Sequence, residues 1–130
     1  MTSTAKGTFD IVMTPGAPEV GGMVDRFDFT KTFQGELDAT GIGVMLSCGD
    51  PNTGSAGYVA IESVSGRLGD RSGGFALQQL GMMHRGSPTL QYEVVPGSGH
   101  GALRGISGTV HLTIEKDGTH RYELEYELLI

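Results

Sequence analysis

From His120 to Leu128 every second residue (His120, Tyr122, Leu124, Tyr126, Leu128) is aromatic or apolar, and the residues between them, Arg121, Glu123, Glu125 and Glu127, are charged. A period of two is the alternation of an extended strand with one face in a core and the other in water, and a helix cannot satisfy it. The same pattern sets Leu90, Tyr92 and Val94 against Gln91 and Glu93, and Val110, Leu112 and Ile114 against Thr109, His111, Thr113 and Glu115. Between the last two runs, Lys116-Asp117-Gly118-Thr119 carries the Asp-Gly pair of a tight hairpin. This third of the chain reads as antiparallel sheet.

Upstream, residues 8–13 place Phe9, Ile11 and Met13 on one face and end at the breaker Thr14-Pro15-Gly16-Ala17-Pro18. Phe27, Phe29, Lys31 and Phe33 share a face opposite Arg26, Asp28, Thr30 and Thr32, which sets one lysine among three phenylalanines. Ile42, Val44, Leu46 and Cys48 form the next apolar row, expected to point inward, before the turn residues Gly49-Asp50-Pro51-Asn52-Thr53-Gly54. In 57–65 and 74–83 the alternation blurs, because Val59 and Ile61 oppose Tyr58, Ala60 and Val64, while Phe75 and Leu77 oppose Ala76, Leu80 and Met82. Antiparallel strands that are apolar on both faces need cover outside as well as inside, so a homo-oligomer, dimer or trimer, is expected. A doubly wound fold also has two-sided strands, but it requires helical crossovers that these short glycine-rich linkers cannot contain.

The 22 glycines in 130 residues are about twice the usual share and supply turns for seven or eight short strands. The expected fold is all-β, a single domain over 1–130 built as a closed antiparallel barrel of about eight strands. Such a ring encloses side chains or one small ligand. A net charge of −6 without a cluster of Lys or Arg argues against nucleic acid as a partner. No run approaches the roughly 20 apolar residues of a membrane helix, and the first residues lack the apolar core of a secretory signal, so a cytoplasmic protein is expected. Cys48 is the lone cysteine, which excludes an internal disulfide and a multi-cysteine zinc site.

Three separated stretches, Gly57-Tyr58-Val59-Ala60-Ile61-Glu62, Gly69-Asp70-Arg71-Ser72-Gly73-Gly74-Phe75-Ala76-Leu77-Gln78 and Val94-Val95-Pro96-Gly97-Ser98-Gly99-His100-Gly101-Ala102-Leu103-Arg104-Gly105-Ile106-Ser107-Gly108, resemble the bacterial family DUF3224. With Lys31-Thr32-Phe33-Gln34-Gly35 and His120-Arg121-Tyr122, the likeness spans nearly the whole chain. The Gly-Ser-Gly-x-Gly-x-Leu-x-Gly-Ile-x-Gly element is also similar to one in plant dirigent proteins and allene oxide cyclases. The resemblance implies an allene oxide cyclase-like barrel that binds a reactive hydrophobic molecule and guides its cyclisation without a cofactor. Many family members look like Leu-Gln-His where this chain has Leu77-Gln78-Gln79, and a glutamine keeps a hydrogen bond but moves no proton near neutral pH.

Glu62 lies in a strand of small and apolar residues, so it is either a carboxylate working in a dry pocket as base or electrostatic stabiliser, a structural partner of Lys31 or Arg71, or an exposed group on the outer face. Lys31 is a base, an anion anchor or a counter-ion for an inward carboxylate. His120, Tyr122 and Tyr126 share an inward face and offer one titratable ring and two hydroxyls. The expected catalytic set is Glu62, His120 and Tyr122. Lining positions for a ligand are expected at Lys31, Phe29, Phe33, Leu46, Cys48, Tyr58, Gln78, Tyr92 and Tyr126. No cofactor is expected, and the four histidines lack metal-ligand spacing. Gly97-Ser98-Gly99-His100-Gly101 precedes no helix, so it reads as a bulged corner and not a phosphate cradle. Function is expected to be that of a barrel for a small hydrophobic molecule, acting as a cofactor-independent isomerase or cyclase, with a non-catalytic carrier as the alternative. A filled barrel serving only for interaction is the third reading.

Overall fold

Alternation translates into strands over almost the whole of residues 2–16 and 21–128, the part of the chain that the computed structural model describes. Ala17 and Pro18 of the expected breaker lie outside it. The strands are β1 (Ser3–Pro15), β2 (Asp25–Gly35), β3 (Leu37–Asp50), β4 (Ser55–Leu68), β5 (Arg71–His84), β6 (Ser87–Val94), β7 (His100–Gly101), β8 (Ile106–Ile114) and β9 (His120–Leu128). All pairings are antiparallel, and the order β4-β3-β2-β1-β9-β8-β6-β5 returns to β4, closing an eight-stranded barrel. The two-residue β7 only extends the ladder of β5 at Gly73 and Gly74. The one helical feature among the described residues is a 3-10 turn at Pro51–Thr53, capped by the Asp50 carboxylate. No helix among them is long and apolar enough to cross a membrane.

Register decides which residues share the interior. Phe9 faces Phe33, Phe33 faces Ala39, Gly43 faces Glu62, Glu62 faces Leu77, and Leu77 faces Val94. The odd residues of β3 therefore point to the axis, and the row expected inward (Ile42, Val44, Leu46, Cys48) points out instead, with Ile42 66% exposed. The cause is space. A Cβ at Gly41 would stand 2.7 Å from Glu62 Oε2, and one at Gly43 would strike the Phe29 ring. Side chains from β2 and β4 already fill the interior at this level, so β3 contributes only backbone there. The two blurred strands resolve on the same rule: Tyr58, Ala60, Glu62 and Val64 with Phe75, Leu77 and Gln79 line the inside, leaving Val59, Ile61, Leu80 and Met82 outside.

The two ends of the ring differ. Where β2 turns into β3, Leu37, Leu68, Phe75 and Leu124 fill the bore, and residues 95–105 cross it as a plug with Leu103 only 1% exposed. Ser98 fastens this strap, its Oγ accepting from the Ala76 N–H at 2.9 Å and donating to the Val95 carbonyl at 2.6 Å. The Gly97-to-Gly101 segment expected as a bulged corner is thus the strap of the plug. Tyr122 closes the same end, its hydroxyl accepting from the Leu37 N–H at 2.9 Å and donating to the Gln34 carbonyl at 3.0 Å. At the opposite end the β3–β4, β5–β6 and β8–β9 turns surround an opening. Leu103→Ala should therefore lower unfolding free energy by about 2–5 kcal/mol, the usual cost of a cavity in a filled core. Urea denaturation measures this, and an unchanged midpoint would show that the strap carries no core contact of weight.

Candidate functional site: a buried lysine, glutamate and tyrosine at mid-barrel

Strand alternation turns Lys31 inward between Phe29 and Phe33, and Gly41 opposite it on β3 leaves the width it needs. Its Nζ donates to Glu62 Oε1 and to the Tyr92 hydroxyl, each at 2.8 Å, and the Tyr92 hydroxyl donates to the same Oε1 at 2.9 Å. Lys31 and Glu62 are each 3% exposed. Charges this far from water persist only when paired and hydrogen-bonded, so of the roles open to Glu62 the structure shows the pairing with Lys31 and not with Arg71. Rings complete the enclosure: Nζ lies 4.7 Å from the centroid of Phe9, 5.1 Å from Tyr92 and 5.3 Å from Phe29, a geometry in which ring faces attract a cation.

Burial sets the titration of this cluster. Desolvation holds the Lys31 ammonium below its ordinary value, against the opposing pull of Glu62. Desolvation first and the Glu62 charge second push the Tyr92 phenol well above its own. The second carboxylate oxygen, Glu62 Oε2, is buried without a hydrogen-bond partner.

On the open side of the cluster the barrel is not filled. A chamber of about 190 Å3 has Lys31, Phe9, Phe29, Tyr58, Gln79 and His120 among its walls. Met13, Met45, Tyr58, Leu112 and Ile114 are walls both of this chamber and of a wider mouth of about 480 Å3, so the two form one funnel with Cys48 at the rim. Tyr58 donates to Gln79 Oε1 at 2.8 Å across the chamber wall, and His120 rests on Phe9 with ring centroids 5.0 Å apart. Two further concavities, about 640 and 450 Å3, lie on the outer wall of the barrel.

The nominated residues divide by level. Lys31, Glu62 and Tyr92 touch one another, while Phe29, Tyr58 and His120 belong to the chamber. Phe33 lies in the core beneath, its ring 5.8 Å from Nζ. Tyr122 and Tyr126 pack at the closed end, so the expected set of Glu62, His120 and Tyr122 does not converge. Leu46 and Gln78 are corrected to the outer wall: Leu46 pairs with Val59 and Arg26, and Gln78 with Ile61 and Glu93, all on the outward parity. Cys48 shares that outward parity and reaches only the rim. Gln79 and Met45 take the places that Gln78 and Leu46 were expected to fill. Counting on by twos from Phe75 and Leu77 reaches Gln79, a signal present in the sequence itself.

Fold and site together define a closed eight-stranded barrel whose bore is divided by a buried ion pair into a filled half and an open apolar funnel. The chain belongs to DUF3224, described as a protein of unknown function, whose family pattern matches residues 5–126. A crystal structure of a DUF3224 protein with unknown function from Shewanella oneidensis MR-1 is similar at a TM-score of 0.90 and 44% identity, covering 100% of this chain and 99% of that one. No curated protein matches the chain.

Lys31→Met leaves Glu62 buried beside no cation and should cost about 3–5 kcal/mol, whereas the double variant Lys31→Met/Glu62→Leu should recover most of that loss. Equal losses in both, measured by urea unfolding, would show that the pair is not coupled. The pH response has a definite sign. Because the folded Tyr92 phenol titrates above the unfolded one, the unfolded chain releases that proton first, and stability falls as pH rises past about 10, by up to about 1.4 kcal/mol per pH unit. Lys31 acts oppositely, since its lowered folded value makes stability rise with pH in the window below its ordinary value. Tyr92→Phe should flatten the alkaline loss in denaturation curves taken between about pH 9 and 11; an unaltered slope would mean Tyr92 titrates normally.

Proposed function

We propose that this chain is a binding barrel for a small apolar molecule that enters the open end and sets one polar acceptor against Lys31. The unfilled funnel carries this reading. A mouth of about 480 Å3 that leads to an inner chamber of about 190 Å3, both walled mainly by apolar side chains above a packed half, falls in the size range of ligand sites. Methionines at the mouth, Met13, Met45 and Met83, supply unbranched, polarisable walls that adapt to irregular apolar shapes. An ammonium has three protons, of which Lys31 spends two on Glu62 and Tyr92, leaving one donor for a ligand. Since Glu62 already balances the charge, a carbonyl or ether oxygen suits that donor better than a carboxylate.

A second reading, a cofactor-independent isomerase or cyclase of the allene oxide cyclase-like kind, draws on the partnerless Glu62 Oε2, a carboxylate oxygen with unused basicity. In that case Glu62 takes a proton relayed through Lys31, which stands between it and the chamber. Binding is preferred because Gln79, on the chamber wall at the position where the family resemblance puts a histidine, moves no proton.

Fluorescence titration with N-phenyl-1-naphthylamine tests the binding reading. The parent chain should enhance the dye's emission saturably, and Met45→Trp, which fills the funnel, should weaken the affinity by about tenfold or more. A parent chain that binds no dye, or a Met45→Trp variant that binds as well as the parent, would remove the funnel as the site. The isomerase reading requires in addition that the parent chain speeds α-hydrogen exchange of an apolar ketone in heavy water and that Glu62→Gln abolishes this with dye affinity kept.

A further inference from the structure

The outer wall of β3, β4 and β5 carries a second feature, which touches the funnel only at Met82, a residue that also borders the mouth. Ile42, Val44 and Leu46 of β3, Val59 and Ile61 of β4, and Leu80 and Met82 of β5 all point outward, and register places them in adjoining rows: Val44 lies beside Ile61, Leu46 beside Val59, and Val59 beside Leu80. Ile42 is 66% exposed, Ile61 56% and Met82 55%. Five of the seven are about half exposed or more and Val44 and Leu46 less so, which together leaves an apolar patch on the order of 500 Å2. That is at the upper end of what monomers leave in water. With the flanking Thr30, Ser63, Gln78 and Gln91, the face approaches the roughly 800 Å2 per partner that a stable interface needs. The wall has relief as well, because Val44 and Ile61 border both of its troughs.

The geometry points to a second copy of this chain seated on that face, forming a twofold dimer through β3, β4 and β5. Charge decides the occupant. The chain carries a net −6, yet the face has no charged side chain in its middle; at its margins stand Arg26 bonded to Asp28 at 3.2 Å, Glu93, and Asp38 beside Arg67 toward the closed end, so that two of its three acids lie next to an arginine. The outward acids Glu123, Glu125 and Glu127 stand on β9, across the barrel. Two copies that meet at β3–β5 bury their apolar rows and keep these like charges far apart. An anionic membrane surface would favour a basic rim, and Arg26 and Arg67, each beside an aspartate, do not make one. A twofold axis along β4 lays β3 of each copy over β5 of the other, so the same residues serve both sides of the contact.

Sedimentation or light scattering of the full chain at micromolar concentration should give the mass of two 13.7 kDa chains. Ile61→Lys should reduce it to one chain with the β-sheet circular dichroism kept, and Thr113→Lys on β8 should leave it unchanged. Should Ile61→Lys fail to fold, the parent chain still answers: contact at the face makes Met82, but not the 79% exposed Met23, react with peroxide several-fold more slowly at micromolar concentration than after dilution to single chains, since access governs thioether oxidation. A single-chain mass for the parent, a trimer, a dimer that survives Ile61→Lys, or Met82 oxidation that dilution leaves unchanged would each overturn the proposal.

Discussion

A lysine and a glutamate that meet 2.8 Å apart on the axis of an apolar barrel impose the rest of the design. Neither charge survives alone in that environment, so β2 and β4 must stand at a register that joins them, and β3 between must give up its side chains there. Gly41 and Gly43 meet that demand. Tyr92 from β6 adds the hydroxyl that a single carboxylate oxygen cannot supply, and Phe9, Phe29 and Phe33 surround the ammonium with ring faces. The cluster is thereby a floor: below it Phe33, Leu37, Leu124 and Leu103 fill the bore, and above it the wall residues recede from one another.

Much of this was legible in the sequence, and the failures have identifiable causes. Strand identity, antiparallel pairing and the inward direction of β2, β6, β8 and β9 all follow from period-two alternation, because in those strands only one face is apolar. Lys31 stood out as inward from its phenylalanine neighbours, whereas Glu62, on a strand apolar on both faces, stayed open between the interior and the outer face. In β3 the same rule pointed the wrong way, since Ile42, Val44 and Leu46 outweigh Gly41 and Gly43 in apolarity while the interior wanted the glycines. Parity read from hydrophobicity assumes that the larger residue is the buried one; where facing strands already fill the volume, the smaller residue is. Leu46 and Cys48 were misplaced by this assumption, Gln78 because both faces of β5 are apolar and leave its parity open, and Tyr122 because inward residues on one strand were expected to share one site. Tyr122 is two residues beyond His120, and that step is enough to carry it from the chamber wall to the Gln34 and Leu37 backbone at the closed end.

The resemblance to allene oxide cyclases and dirigent proteins pointed to a closed barrel, and the chain forms one. Fold alone carries no reaction, and the polar groups here are a carboxylate salted to a lysine, a histidine leaning on a phenylalanine and an amide at position 79. Binding needs only the shape of the funnel and one free donor, both of which the residues supply without rearrangement.

Inner and outer faces of β3 and β4 are not independent. Glu62 and Ile61 are neighbours on one strand, as are Gly43 and Val44 on the next, and the four residues form two adjacent rungs of one ladder. Water at the outer face would compete for the backbone hydrogen bonds that hold those rungs, and the only barrier there is side chain. A second copy over Val44 and Ile61 would dry both sides of the ladder, so the separation of β2 and β4, and with it the Lys31–Glu62 distance, would fluctuate less. A covered outer wall would then steady the floor of the funnel, and the apolar residues that displaced expectation in β3 would be part of what keeps the buried charges together.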